Sequence, residues 1–298
     1  LEIISFYTDR EFSNKLPFEN GGQVNLKRSY WGIGAKYVTD NYLFTHPIST
    51  TIGADISDQS DRRKRYNNIR GDRGSKVFDQ LESFRNNAFY FQQSYLLNNK
   101  INIIWGSRWD NDKIESLDYY ISDGLGSGFT SLNNISPFAG LTYLLNKSMS
   151  IYTNYSNHYE TPTLNELSND PDSLSVGGFN SKLNPQISNS FEIGSKGYVN
   201  NYFYYDIALF RSKIDNEITS FELEESPGKT FYRNVGESQK EGIEMSLSSN
   251  IGNNIMLNFE YTYSKFEYAN YVKNNKNLNG NRLPGIPQNT FNSEYILH

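Results

Sequence analysis

Residues Ile151–Ser220 read IYTNYSNHYETPTLNELSNDPDSLSVGGFNSKLNPQISNSFEIGSKGYVNNYFYYDIALFRSKIDNEITS. A segment alternating apolar and polar residues ends at His158. A long polar stretch then carries Thr161-Pro162-Thr163-Leu164-Asn165-Glu166-Leu167 and Asn184-Pro185. Two more alternating segments, Ile187–Val199 and Tyr202–Lys213, are separated only by Asn200 and Asn201. A period of two puts apolar side chains on one face of a strand and polar ones on the other. The tight Asn-Asn break joins antiparallel neighbours. This stretch therefore predicts strand, long loop, strand, tight turn, strand.

The same rhythm runs along the whole chain. Leu1–Thr8, Tyr30–Thr39, Ile48–Asp58, Phe84–Leu97, Ile101–Asn111, Asn133–Leu145, Ser148–His158, Val235–Asn250, Asn254–Tyr268 and Gln288–His298 are further strand candidates. In Asn254–Tyr268, for example, Ile255, Leu257, Phe259, Tyr261 and Tyr263 share a face opposite Asn258, Glu260, Thr262 and Ser264. About twelve strands of roughly 10–15 residues result, and a tilted membrane strand needs about 9–11 to cross the bilayer core. Long connections are expected at Asp9–Ser29, Gln59–Ser83, Asp112–Leu132, Tyr159–Gln186, Thr219–Asn234 (around Ser226-Pro227-Gly228-Lys229) and Ala269–Pro287. They alternate strictly with short turns. Bacterial outer-membrane barrels have that asymmetry, with short turns on one side and long loops on the other.

Composition points the same way. The 298 residues include 23 Tyr and 19 Phe but no Cys, and only 37% are hydrophobic. So many aromatics exclude ordinary disorder. A thin apolar face with aromatic girdles reconciles them with a low hydrophobic fraction. No run of 18 apolar residues exists, so no transmembrane helix is expected. Leu1–Asp9 lacks the basic start of a signal peptide. The formal net charge of −5 argues against a general nucleic-acid partner.

Several phrases resemble those of the barrel portion of TonB-dependent outer-membrane receptors. Tyr159–Leu167 is similar to the family's aromatic followed by Ala-Pro-Thr-Leu-Xaa-Glu-Leu, with Thr161 in place of Ala. Leu183–Gly197 resembles Leu-Lys-Pro-Glu-Xaa-Ser-Xaa-Ser-Tyr-Glu-Xaa-Gly-Xaa-Lys-Gly. Ser136–Leu141, Asn234-Val235-Gly236 with Glu241-Gly242-Ile243-Glu244, and Asn281–Pro287 continue in order. Pro162, Leu164, Glu166, Leu167, Pro185, Glu192, Gly194, Gly242 and Glu244 are the motif positions.

The resemblance implies about 12 strands of an all-β, antiparallel transmembrane β-barrel that has about 22 in all, around a plugged lumen. Residues 1–298 would be a partial barrel domain, with the plug, the energy-coupling box and the last strands absent. The implied localisation is the outer membrane of a Gram-negative bacterium. The implied function is TonB-energised uptake of a scarce ligand, foremost a ferric siderophore, with haem, carbohydrate or cobalamin as alternatives inside the family. Implied partners are outer-membrane lipid and lipopolysaccharide, a TonB-type transducer reached through the missing N-terminal part, and the iron chelate. A passive porin or an outer-membrane hydrolase is the alternative of another class.

Candidate ligand contacts are expected in the long loops. Arg62, Arg63, Arg65 and Arg70, with Lys64 and Arg73, form a basic stretch that would steer an anionic chelate; the plainer reading is a solvated loop beside lipopolysaccharide phosphates. Tyr119, Tyr159 and Tyr232 could stack on an aromatic chelate, or serve as girdle and loop packing. Ser156 and His158 share a strand face but lack an oxyanion motif, so no catalytic residue is expected. Asp110 with Asp112, and Asp170 with Asp172, lack the spacing of a full Ca²⁺ loop. No cofactor or metal site is expected.

Overall fold

The computed structural model describes every residue except 18, 173–177, 201, 225–229, 253, 274–275 and 298. The expected Ser226–Lys229 loop tip and His298 thus lie outside the described residues. Twelve strands form one antiparallel sheet, each paired with its neighbours along the chain. They are β1 (Glu2–Lys15), β2 (Gln23–Leu43), β3 (His46–Ile69), β4 (Asp72–Asn98), β5 (Ile101–Asp118), β6 (Gly128–Leu144), β7 (Met149–Glu160), β8 (Gln186–Val199), β9 (Phe203–Glu222), β10 (Thr230–Ile251), β11 (Ile255–Asn270) and β14 (Asn289–Leu297). Between the last two lies a small ribbon of β12 (Val272–Lys273) and β13 (Lys276–Asn277). The sheet is an open stretch of barrel wall, since among the described residues β1 pairs only with β2 and β14 only with β11.

The expected strand count holds, but the strict alternation of long and short connections fails at β3–β4, and the strands are longer than expected. They run from 9 to 27 residues, and much of what reads as loop is paired strand. Asp9–Ser29 contributes the upper halves of β1 and β2, joined in register from Glu2↔Lys36 to Lys15↔Gln23. Gln59–Ser83 is not a loop: β3 and β4 pair up to Ile69↔Asp72, leaving only Arg70 and Gly71 as the turn. Both have positive φ, 54° and 99°, as a two-residue type I′ hairpin turn requires. Beyond the apolar band both sheet faces carry polar residues, so hydropathy stops alternating while backbone pairing continues.

The outer face carries a continuous apolar band. Across the first half, Ala54 opposes Phe89, Phe89 opposes Trp109, and Trp109 opposes Ile135. Across the second, Ile193, Leu209, Ile243 and Tyr263 stand in one cross-strand row. Phe89, Trp109, Ile135, Ile193, Leu209 and Ile243 are all exposed, as a lipid-facing surface demands. Phe91 and Trp105 pack edge to face at 5.3 Å within the band.

The inner face repeats a different device: an aromatic ring laid over a glycine directly opposite it. Phe6 covers Gly32, Tyr90 covers Gly53, Phe138 covers Gly106, Tyr152 covers Gly194 and Phe210 covers Gly242. The glycine leaves room for the ring, and the ring shields a bare stretch of strand. Gly194 and Gly242 are motif positions, so their residue type has a packing cause. At Gly242 a Cβ would meet the Tyr263 carbonyl as well as the Phe210 ring, whereas at Gly53 the three nearest atoms all belong to the Tyr90 side chain.

One row of the ladder is short. β6 and β7 pair only from Phe138↔Ser156 to Leu144↔Ser150. Above that row β6 pairs with β5 alone and β7 with β8 alone, leaving a seam near the long-hairpin rim.

Gly242→Ala is expected to reduce the folded fraction of the full receptor, read by heat-modifiable migration on gels, more than Gly53→Ala does. Tyr90→Ala should rescue Gly53→Ala, while Phe210→Ala should not fully rescue Gly242→Ala.

Candidate ligand-binding wall

The connection between β7 and β8 folds inward and lies across the inner face as a strap. Pro162 is fully buried at its start. Thr163 then caps the one-turn helix α1 (Leu164–Leu167). The Thr163 hydroxyl accepts from the Glu166 N–H at 3.3 Å, and the Glu166 carboxylate accepts from the Thr163 N–H at 2.7 Å. This reciprocal capping box satisfies two orphan donors at once. It turns Leu167 down into a cluster with Leu183 and with Ile114 of β5, surrounded by Phe84, Leu132, Leu164, Phe179 and Tyr232. On the far side, amides tie the strap to β10. Asn169 donates to the Thr230 carbonyl at 3.0 Å and Asn180 to that of Tyr232 at 3.1 Å. Asn184 and Asn234 exchange two bonds, of 2.7 and 2.9 Å.

Pro162, Leu164, Glu166 and Leu167 therefore anchor the strap, and half-buried Pro185 marks its exit into β8. Tyr232 belongs to the same packing, which favours the plainer of its two readings. The other motif acid with a visible partner is Glu192, which accepts from the Asn154 amide at 3.3 Å. Glu244 lies in β10 opposite Ala208 and Thr262.

The basic stretch is split by the pleat. Arg62 and Lys64 project to one face of β3, and Arg63 and Arg65 to the other. On the outer side, Arg62 binds Asp79 at 2.6 Å and lies 4.0 Å over the Tyr119 ring. Lys76 reaches the same carboxylate at 2.8 Å. On the inner side, Arg63 binds Glu82 at 2.8 Å and Arg28 binds Asp61 at 2.6 Å. Arg70 stands apart at the hairpin tip, where the Gly71 carbonyl accepts from Lys15 and Gln23. The expected basic loop is thus ordered, paired strand in which Arg62 and Arg63 each have a cross-strand carboxylate. Cross-strand pairing, invisible in a linear charge count, supplies the acids.

Tyr159 lines an open luminal pocket of about 350 Å³ whose lining also includes Asn86, Arg108, Asp110, Asp112 and His158. Arg108 links Asp55 and Asp110 at 2.8 and 3.0 Å. Asn86 donates to Asp110 and Asp112 at 3.1 and 2.7 Å. Burial, then the Asp112 carboxylate, push the Tyr159 phenol above its ordinary value. Sequence reasoning missed Arg108 and Asn86, because isolated polar residues on alternating strands carry no motif. Ser156 and His158 do approach to 2.9 Å, although no oxyanion-type partner accompanies them. Among the described residues no group of three or more acids, histidines or cysteines could hold a metal ion. Asp172 instead pairs with Lys182 at 2.5 Å.

The profile of the TonB dependent receptor-like β-barrel family matches residues 4–297. The chain belongs to that family. Among curated relatives, a probable TonB-dependent siderophore receptor, PiuA, of Acinetobacter baumannii is 29% identical over 211 residues, or 65% of this chain and 27% of the relative. The ferric-pyoverdine 358 receptor of Pseudomonas putida is 22% identical over 216 residues, 70% of this chain and 24% of the relative. The fold matches the ferric citrate transporter FecA in its unliganded form with a TM-score of 0.76 at 16% identity, covering 98% of this chain and 43% of that one. The PiuA crystal structure gives 0.75 at 18%, covering 98% and 49%. The TonB-dependent receptor barrel described here thus spans about a quarter of its curated relatives.

Two outcomes are expected from this wall. Leu167→Ala should cost about 2–5 kcal/mol, and Thr163→Ala about 1 kcal/mol, with faster proteolysis inside residues 161–185 of the full receptor. The second concerns pH. Burial raises the Glu82 carboxyl above its usual value despite Arg63, so the folded state binds this proton more tightly than the unfolded chain. Stability from Glu82 is then fully present below the ordinary carboxylate range and falls as pH rises through the raised value. Unfolding measured against pH should show this fall in the parent and not in Glu82→Gln.

Proposed function

We propose that this chain is part of the barrel of an outer-membrane receptor that takes up a ferric siderophore, driven by a TonB-type transducer. The observation that carries the reading is the inward strap. A family-typical segment is held by buried Leu167 against β5 and by amide bonds to β10, beside a cavity lined by Arg108, Asn86 and Tyr159. That arrangement furnishes a rigid, polar inner wall at the long-hairpin rim, where an incoming chelate would first meet ordered groups. The siderophore assignment draws on relatives named for siderophore and ferric-pyoverdine reception.

Within this reading, Tyr159, Arg63 and Arg65 face the lumen as ligand contacts. Arg62 and Tyr119 lie on the outer side, suited to lipopolysaccharide phosphates. Arg70 contributes only at the hairpin tip. The family is one of receptors, and the Ser156–His158 contact has no catalytic role. Energy coupling and plug contacts belong to parts of the receptor outside residues 1–298.

The test uses the complete receptor gene in a Gram-negative host stripped of its own siderophore receptors. Expected is growth on chelated iron and accumulation of radiolabelled iron from at least one ferric siderophore, both abolished when the TonB homologue is deleted. Uptake that persists without the transducer, or a receptor that takes up none of a hydroxamate, catecholate and carboxylate panel, would sink the proposal.

A further inference from the structure

Three arginines face the lumen along β2 and β3, and only two have a carboxylate of their own. Arg28 forks onto Asp61 through two bonds of 2.8 and 2.6 Å. Arg63 binds both oxygens of Glu82 at 2.8 and 3.1 Å. Asp61 and Glu82 are each 2% exposed, so these pairs are built into the wall. Arg65, two residues above Arg63 on the same face, has no carboxylate within ion-pair distance among the described residues.

Its surroundings are nonetheless specific. The guanidinium lies 5.4 Å from the Phe78 ring centre, and that of Arg63 lies 5.6 Å from the same ring. One ring therefore lies close to two cations, of which Arg63 alone has a carboxylate. The β1–β2 turn rests on the Arg65 stem, since a Cβ at Gly21 would stand 3.8 Å from Cδ. The turn is pinned there by the Gly21 N–H donating to the Asn67 side chain at 3.2 Å. Nε is buried and makes no hydrogen bond among the described residues. Burial, then repulsion from Arg63, hold the Arg65 pKa below its ordinary value. A covered guanidinium without a counter-charge is costly unless an anion completes it, and its planar fork suits an oxyanion with two equivalent oxygens.

We propose that Arg65, stacked on Phe78 beside Arg63, is a subsite on the inner wall for a carboxylate group of the transported chelate. The proposal deepens the uptake reading above and rests on it for the ligand's identity. It selects carboxylate-bearing chelates over neutral ones. Arg62, on the opposite face and already paired with Asp79, takes no part.

Arginine labelling of the complete receptor in detergent tests this, with phenylglyoxal as reagent, citrate as probe and peptide mass mapping as readout. Arg65 should label faster than ion-paired Arg63, and millimolar citrate should slow Arg65 at least threefold while equimolar glucose does not. Calorimetric titration with citrate should weaken at least tenfold in Arg65→Gln, partly recover in Arg65→Lys, and be unchanged in Lys147→Gln, which lies exposed in the short β6–β7 turn at the opposite end of the wall. Equal Arg65 labelling with and without citrate, or protection by phosphate but not by citrate, overturns the subsite. Iron uptake without citrate protection rejects the Arg65 subsite and leaves the uptake reading standing. Citrate protection in a receptor that imports no chelate upholds the anion site and rejects the uptake reading.

Discussion

The antiparallel hydrogen-bond ladder is the constraint on which the rest of this molecule depends. A backbone amide left without a partner in hydrocarbon costs several kcal/mol, so a wall that crosses a membrane must hand every strand to the next. The order β1 to β11 and then β14, each beside its sequence neighbour, is the simplest way to do so. Once the ladder is fixed, the pleat decides what each side chain meets. Ile193, Leu209 and Ile243 turn outward together, and Gly194, Ala208 and Glu244 turn inward together. Paired rings and glycines then let the inner face close up without widening the wall.

Where the ladder is interrupted, burial replaces it. Above the Phe138–Ser156 pair, β6 and β7 no longer bond to each other. The strap crosses that seam on the inside. Its Leu167 and Leu183 pack on Ile114 and Leu132 from one side of the seam and on Tyr232 from the other. The capping box at Thr163 and Glu166 fixes the angle at which the strap enters. A phrase that in the linear chain marks only the family resemblance is, in the fold, the fastening of the wall's inner brace.

Legibility in the sequence follows the bilayer. Within the apolar band, alternation is strong, and segments such as Tyr30–Thr39 and Ile101–Asn111 lie inside observed strands. Above the band, residues such as Arg62, Arg63, Lys64 and Arg65 are polar on both faces, so period two disappears from hydropathy although β3 continues to Ile69. The charge run was visible, but the pairing of Arg62 and Arg63 was not, because Asp79 and Glu82 become their neighbours only through cross-strand register. Arg65 was legible as one cation among several. Its lack of a counter-charge required the register and the Phe78 contact. Tyr159 and the strap motif were found by wording alone, whereas Arg108 and Asn86 needed the fold.

The seam also sets how the mouth of the wall yields to force. Strands joined by a ladder slip only by breaking bonds and re-forming them a whole residue pair away. Apolar contact has no such detents, so across the seam the two plates, β4 to β6 and β7 to β10, share a joint with continuous travel. The strap acts as a tie rod over that joint, fastened by amides on one plate and by grease-like contact on the other. Within this stretch of wall the seam is thus the joint without a ladder, and Leu167 is the side chain that bridges it.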